Sequence, residues 1–134
     1  MLKPEERTQK ALVEYMFMVY PQVFPYVIKI NNEGKRSAIG TYILKLMGLH
    51  PGASDLFIAC PTRAHGGLWM EIKPDGWAGP KSKAEKEHVA RQKRFLENMD
   101  VAGYGTAFCV GIDECMRAVD NYFAGTFKPR RDTE

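Results

Sequence analysis

Apolar residues recur at two spacings along the chain, and the switches between them predict eight elements. Ala11, Leu12, Tyr15, Met16, Val19 and Tyr20 follow helical spacing. Pro4 and the acids of EERTQ open that helix, because a first-turn proline loses no hydrogen bond and carboxylates suit the positive helix end. Pro21 and Pro25 close it. Tyr26 to Ile30 (YVIKI) alternates as a strand does, and NNEG reads as a turn. Ser37 is placed to cap a second helix from Ala38 to Met47, stopped by Gly48. After a loop at HPGAS, Asp55 to Cys60 (DLFIAC) is a short apolar strand. PTRAHGG turns the chain into another strand, Gly67 to Ile72 (GLWMEI). PDGWAGP is a loop rich in breakers, and Lys81 to Met99 is a long, charged, amphipathic helix. Tyr104 to Val110 (YGTAFCV) is a strand, and Asp113 to Phe123 a final helix.

The order α-β-α-β-β-α-β-α, with a central hairpin and then a β-α-β step, implies an α/β fold: a mixed sheet of four to five strands flanked by helices. At 134 residues the chain has room for one domain, read as residues 1–125, followed by a polar tail over 126–134 (TFKPRRDTE). Hydrophobic residues at 45% and charged residues at 26% exclude whole-chain disorder. No run of about 18 apolar residues occurs, so no transmembrane helix is expected and no membrane partner. The charged start, MLKPEERTQK, does not read as a secretory signal. Cys60, Cys109 and Cys115 are widely spaced and unpaired in pattern, and read as buried thiols of a reducing compartment. Nineteen Lys and Arg against 16 Asp and Glu give a net charge of +3, compatible with a polyanionic partner without requiring one.

Chemistry concentrates between Gly52 and Lys73. Asp55 heads an apolar strand, Glu71 lies sixteen residues on, and Lys73 follows two later on the same face. If the two strands form an antiparallel hairpin turning near residues 63–64, residues whose numbers add to about 126–128 lie opposite each other. Asp55 then falls opposite Glu71 to Lys73. Two carboxylates so close raise each other's pKa unless a cation lies between them. A hard ion such as Mg²⁺ suits them, and a neighbouring lysine can orient water or offset developing charge. The plainer reading is a solvated strand edge with Asp55 as a strand-initiating cap.

The string PGASDLFI, then GLWMEIK, then a helix carrying Gln92, then AGY opening a strand, resembles the PD-(D/E)xK nucleases. Within that superfamily it is similar to the virus-type replication-repair nuclease (VRR-NUC) domain, over about residues 6–122. The resemblance implies a restriction-endonuclease-like fold and a divalent-metal-dependent DNA endonuclease using Mg²⁺ or Mn²⁺. It makes Asp55, Glu71 and the main-chain carbonyl of Ile72 the metal ligands, Lys73 the residue that positions water, and Gln92 the motif glutamine beside it. The segment between E-x-K and Gln92 is longer and more basic than the family's usual loop, and Ser82 is a second candidate within it. The first helix often carries an acid as E-x-x-Q. Glu6 with Gln9 fits best, with Glu5 and Glu14 as rivals. Small stand-alone members act as homodimers on branched DNA such as four-way (Holliday) junctions, in the cytoplasm of bacterial or phage-infected cells.

The same resemblance puts Asn31 and Asn32 near the substrate path, with Lys35 and Arg36 adding positive charge; an ordinary turn explains them equally. Residues 81–94 carry a local charge of +4, in which Lys81, Lys83 and Arg91 are candidate phosphate contacts. Trp77 could stack on an exposed base or simply cover its loop. His50, His65 and His88 show no HxH or HxxxH spacing and read as structural or solvent-facing, although His50 lies five residues before Asp55. The apolar run Met16–Tyr20 suggests either a dimer surface or a fully buried helix. Two other functions remain open: a non-catalytic DNA-binding module of the same fold, and a metal phosphoesterase for small molecules, which the basic helix disfavours.

Overall fold

The computed structural model describes residues 1–30 and 37–125. Asn31, Asn32, Lys35, Arg36 and the tail over 126–134 lie outside the described residues. Among the described residues eight α and β elements follow in the expected order: α1 (Pro4–Val19), β1 (Val27–Lys29), α2 (Ala38–Leu46), β2 (Leu56–Ile58), β3 (Leu68–Lys73), α3 (Lys83–Val101), β4 (Gly105–Val110) and α4 (Gly111–Phe123). The four strands form one sheet in the order β1-β2-β3-β4, antiparallel except for the β3–β4 pair. That is the mixed sheet expected.

Boundaries moved where a local hydrogen bond decided them. The first strand begins at Val27 rather than Tyr26, because Phe24–Tyr26 close a 3₁₀ turn around Pro25. The third helix begins at Lys83, because the Ser82 hydroxyl accepts from the Glu85 N–H (3.1 Å) and caps it. The fourth begins two residues early, at Gly111: the Asp75 carboxylate accepts from the Ile112 N–H (3.2 Å), tying the loop after β3 to this helix.

Strand alternation divides the side chains between two layers. Leu56, Ile58, Leu68, Met70, Ile72, Ala107 and Cys109 face α1 and α4, where Leu12, Met16, Cys115, Val119 and Tyr122 complete the main core. The Tyr15 and Tyr20 hydroxyls both donate to one Asp120 oxygen (2.7 Å each), clamping α1 to α4. On the opposite face Trp69 stacks on Phe57 (4.3 Å between centroids) and meets Phe95 of α3 edge-on. Cys109 and Cys115 are buried as expected, whereas Cys60, at the strand end, is only partly so. Among the described residues no helix is long and apolar enough to cross a membrane.

Of the run Met16–Tyr20, Met16 is buried in the core while Phe17, Met18 and Val19 are exposed, so that helix is neither wholly buried nor wholly a surface. The larger apolar surface is α2. None of its residues is buried, and Ile39, Tyr42, Ile43, Leu46 and Met47 all face outward.

Candidate active site

The hairpin register decides how the acids meet. Leu56 pairs with Met70, Phe57 with Trp69 and Ile58 with Leu68, so the paired numbers add to 126. Continued one step, the ladder would set Asp55 against Glu71, and a second step would set Ser54 against Ile72. It stops instead: β2 begins at Leu56, and the Asp55 carboxylate takes the Ile72 N–H (Oδ2, 2.7 Å). A strand residue's N–H and C=O leave on the same side. The Ile72 carbonyl therefore points toward the same gap as Asp55.

Glu71 and Lys73 project to the α3 face, and both are buried, at 2% and 7% exposure. The Lys73 ammonium lies 3.7 Å from Glu71 Oε2 and donates to Gln92 Oε1 at 2.9 Å. Gln92 is also buried, one turn along α3 from His88, and its Nε2 lies 3.0 Å from His88 Nε2. Aromatic rings wall the ammonium on the outer side: its Nζ is 5.4 Å from the Trp77 centroid and 5.7 Å from that of Phe108. Lys93 reaches the same Phe108 ring at 5.7 Å. Trp77 is half-buried, its ring centroid 5.7 Å from that of Phe108.

Glu71 is a buried acid whose charged form is disfavoured where it stands. Burial, then the charge of Asp55 and a hydrogen bond shared with it, push its carboxyl up to about 10; Lys73 opposes this and Glu5 adds to it. Glu71 Oε1 and the Ser54 hydroxyl are both buried without a hydrogen-bond partner. An orphaned carboxylate oxygen in a native fold is costly, and a cation between Glu71 and Asp55 removes that cost. The donor chemistry, two carboxylates and a main-chain carbonyl, fits Mg²⁺ or Mn²⁺. Among the described residues no group of three or more His, Cys, Asp or Glu side chains is arranged to hold a metal, so a third protein ligand here would have to be a main-chain oxygen such as that of Ile72.

The three acids of the first helix separate by what each touches. Glu6 accepts from the Lys3 N–H (3.0 Å) and closes the helix start, and Glu14 pairs with Lys10. Glu5 is the one whose charge acts on Glu71. All three, with Gln9, Lys29, Asp55 and Ile72, line a cavity of about 530 Å³ between α1 and the sheet edge. Lys81, in the loop before α3, Lys83, at its start, and Arg91, in its middle, are all exposed. Spacing alone could not separate Glu5 from Glu6. The His88 contact does have a sequence signal, its position four residues before Gln92.

Neither a family model nor a curated protein sequence matches the chain. One solved structure, described as a VRR_NUC domain protein, superposes with a TM-score of 0.71, covering 92% of this chain and 91% of that one. The chain has the VRR-NUC fold. At 22% identity the likeness is one of architecture. In this chain Asp55 stands immediately before β2, and Glu71 and Lys73 lie two residues apart on the neighbouring β3.

Proposed function

We propose that this protein is a divalent-metal-dependent DNA endonuclease acting on branched DNA such as four-way junctions. The observation that carries the reading is the buried Glu71 carboxyl, held between Asp55 and a lysine that Gln92 fixes, on a nuclease-type fold. Asp55, Glu71 and the Ile72 carbonyl would hold Mg²⁺ or Mn²⁺. Such an ion would supply Lewis-acid chemistry toward a phosphoryl oxygen. Lys73 directs the attacking water and offsets charge as the new P–O bond forms and one ester P–O bond breaks. The exposed bases of α3 and its preceding loop, Lys81, Lys83 and Arg91, follow the phosphate backbone.

We further propose that it works as a homodimer, since two symmetric cuts on a junction call for two-fold symmetry. The uncovered apolar face of α2 supports this: Ile39, Leu46 and Met47 are each at least 70% exposed. A helix of nine residues is marginal unless packed. Leu46→Glu with Met47→Glu is expected to halve the solution mass by light scattering and to turn paired junction cuts into single nicks. A wild-type mass of one chain sinks the dimer.

The activity is tested with flap, nicked, single-stranded and four-way DNA in Mg²⁺ and Mn²⁺. Cleavage that is strongest on the junction and abolished by EDTA is expected. Junction binding with no cleavage in either metal would leave a non-catalytic DNA-binding module instead.

A further inference from the structure

The chain of contacts from Glu71 does not end at Gln92. Lys73 Nζ donates to Gln92 Oε1 (2.9 Å), and the other end of that amide, Nε2, faces His88 Nε2 at 3.0 Å. A glutamine amide has one accepting end and one donating end. The lysine ammonium can only donate, so the oxygen must face Lys73 and the NH₂ must face His88. His88 Nε2 must then accept, which requires a neutral ring with its proton on Nδ1. We infer that His88 is a positioning residue: its neutral imidazole fixes which way the Gln92 amide faces and so holds Lys73 beside Glu71. The inference rests on the nuclease reading for its consequence in catalysis, but not for its geometry.

Protonation of the ring breaks the arrangement in a definite way. Imidazolium has a donor at both nitrogens, so Nε2–H would oppose the amide NH₂. The relief is a half-turn of the amide, which brings NH₂ round to the ammonium and takes away the acceptor of Lys73. The protonated ring and a correctly held lysine are therefore mutually exclusive. The groups acting on the ring are Lys73 from β3, Arg91 from its own helix and Asp55 from the turn before β2. Burial and the two cations hold the imidazole below the usual histidine range, against the weaker pull of Asp55. With a depressed value the ring is neutral at and above pH 7, and the arrangement is lost only as pH falls below that range. The His88 residue reaches solvent although its contact with Gln92 is partly buried, whereas Gln92 and Lys73 are buried.

Three substitutions separate positioning from bulk structure. His88→Gln sets a non-titrating oxygen near the position of Nε2, and is expected to keep kcat within about two-fold while flattening the part of the acid limb due to the histidine. His88→Leu removes the acceptor and is expected to lower kcat about ten-fold with KM unchanged. His88→Lys, a permanent donor, is expected to lose more than the leucine variant at every pH. A second readout needs no DNA. In ¹⁵N NMR of the wild-type protein, the Gln92 side-chain amide should shift with the same midpoint as His88, and stay fixed in His88→Gln. Absence of cleavage by the wild-type protein would remove the nuclease reading and leave the NMR measurement to decide this one. Gln92 resonances that ignore His88, or a leucine variant with wild-type kcat and pH profile, would overturn it.

Discussion

Glutamine in place of Glu71 is expected to abolish metal-dependent cleavage and, in the same molecule, to make the metal-free protein more stable at neutral and alkaline pH. Both effects come from one buried carboxyl. Its pKa is raised from 4.5 to about 10, first by burial and then by Asp55. Between those two values the folded chain keeps a proton that the unfolded chain has released. The unfolded state therefore binds fewer protons, and stability falls as pH rises across that window. At pH 7 the cost is roughly 3 kcal/mol by linkage. A glutamine amide has the shape of the protonated acid, can still donate to Asp55, and does not titrate. Glu71→Gln should thus melt roughly 5–10 °C higher than the wild type without metal at pH 7–8. The two should converge near pH 4.5. Cleavage should fall about 10³-fold, equivalent to about 4 kcal/mol of lost transition-state stabilisation. Added Mg²⁺ should raise the wild-type melting temperature, by mass action on the folded state, and leave the variant unmoved. Equal Mg²⁺ shifts in both proteins would remove Glu71 from the metal site. Equal melting curves across pH would remove the buried-acid argument.

The elements were legible because hydrophobic spacing and breakers agreed at nearly every junction. The strand DLFIAC has a polar head and an apolar body, and the turn PTRAHGG has one comfortable centre, so the hairpin register followed and brought Asp55 to β3. Ser82 read as a second candidate for the site within a basic run. The structure makes it a helix cap, which is why α3 starts two residues late. The first-helix acid was not legible at all. Glu5 and Glu6 differ by about 100° around the helix, and what separates them is the Lys3 N–H that Glu6 accepts. His88 carries no metal-ligand spacing to another histidine, so spacing gives it no role. Its role follows from a glutamine one turn away whose own orientation depends on a lysine in another element. The contact of Trp77 with Phe108 was not legible, because it joins a loop to a strand thirty residues on.

The glycine of G-x-x-D sets a second severe test, because it couples the Asp55 turn to the helix carrying Gln92. Gly52 is buried with φ +92°, a conformation that side chains other than glycine rarely adopt. A Cβ there would lie 2.8 Å from the Arg91 carbonyl carbon and 2.9 Å from both its oxygen and its Cβ. Two of these atoms are main chain in mid-helix and cannot turn aside, so the loop must lift off α3 and carry Asp55 with it. Gly48 is the matched control: its φ is +101°, and nothing lies within 4 Å of a Cβ built there. Gly48→Ala should cost only the conformational term, about 1 kcal/mol, and leave cleavage unchanged. Gly52→Ala adds overpacking and should cost about 2–4 kcal/mol in all. A displacement of about 1 Å at a reacting centre is worth roughly 10²-fold in rate, and that loss is expected for Gly52→Ala under conditions where it remains folded. Saturating Mg²⁺ should recover little of it, since the defect is in where Asp55 stands rather than in its charge. If the two alanine variants prove equally stable and equally active, the close approach of this turn to Arg91 has no part in building the site.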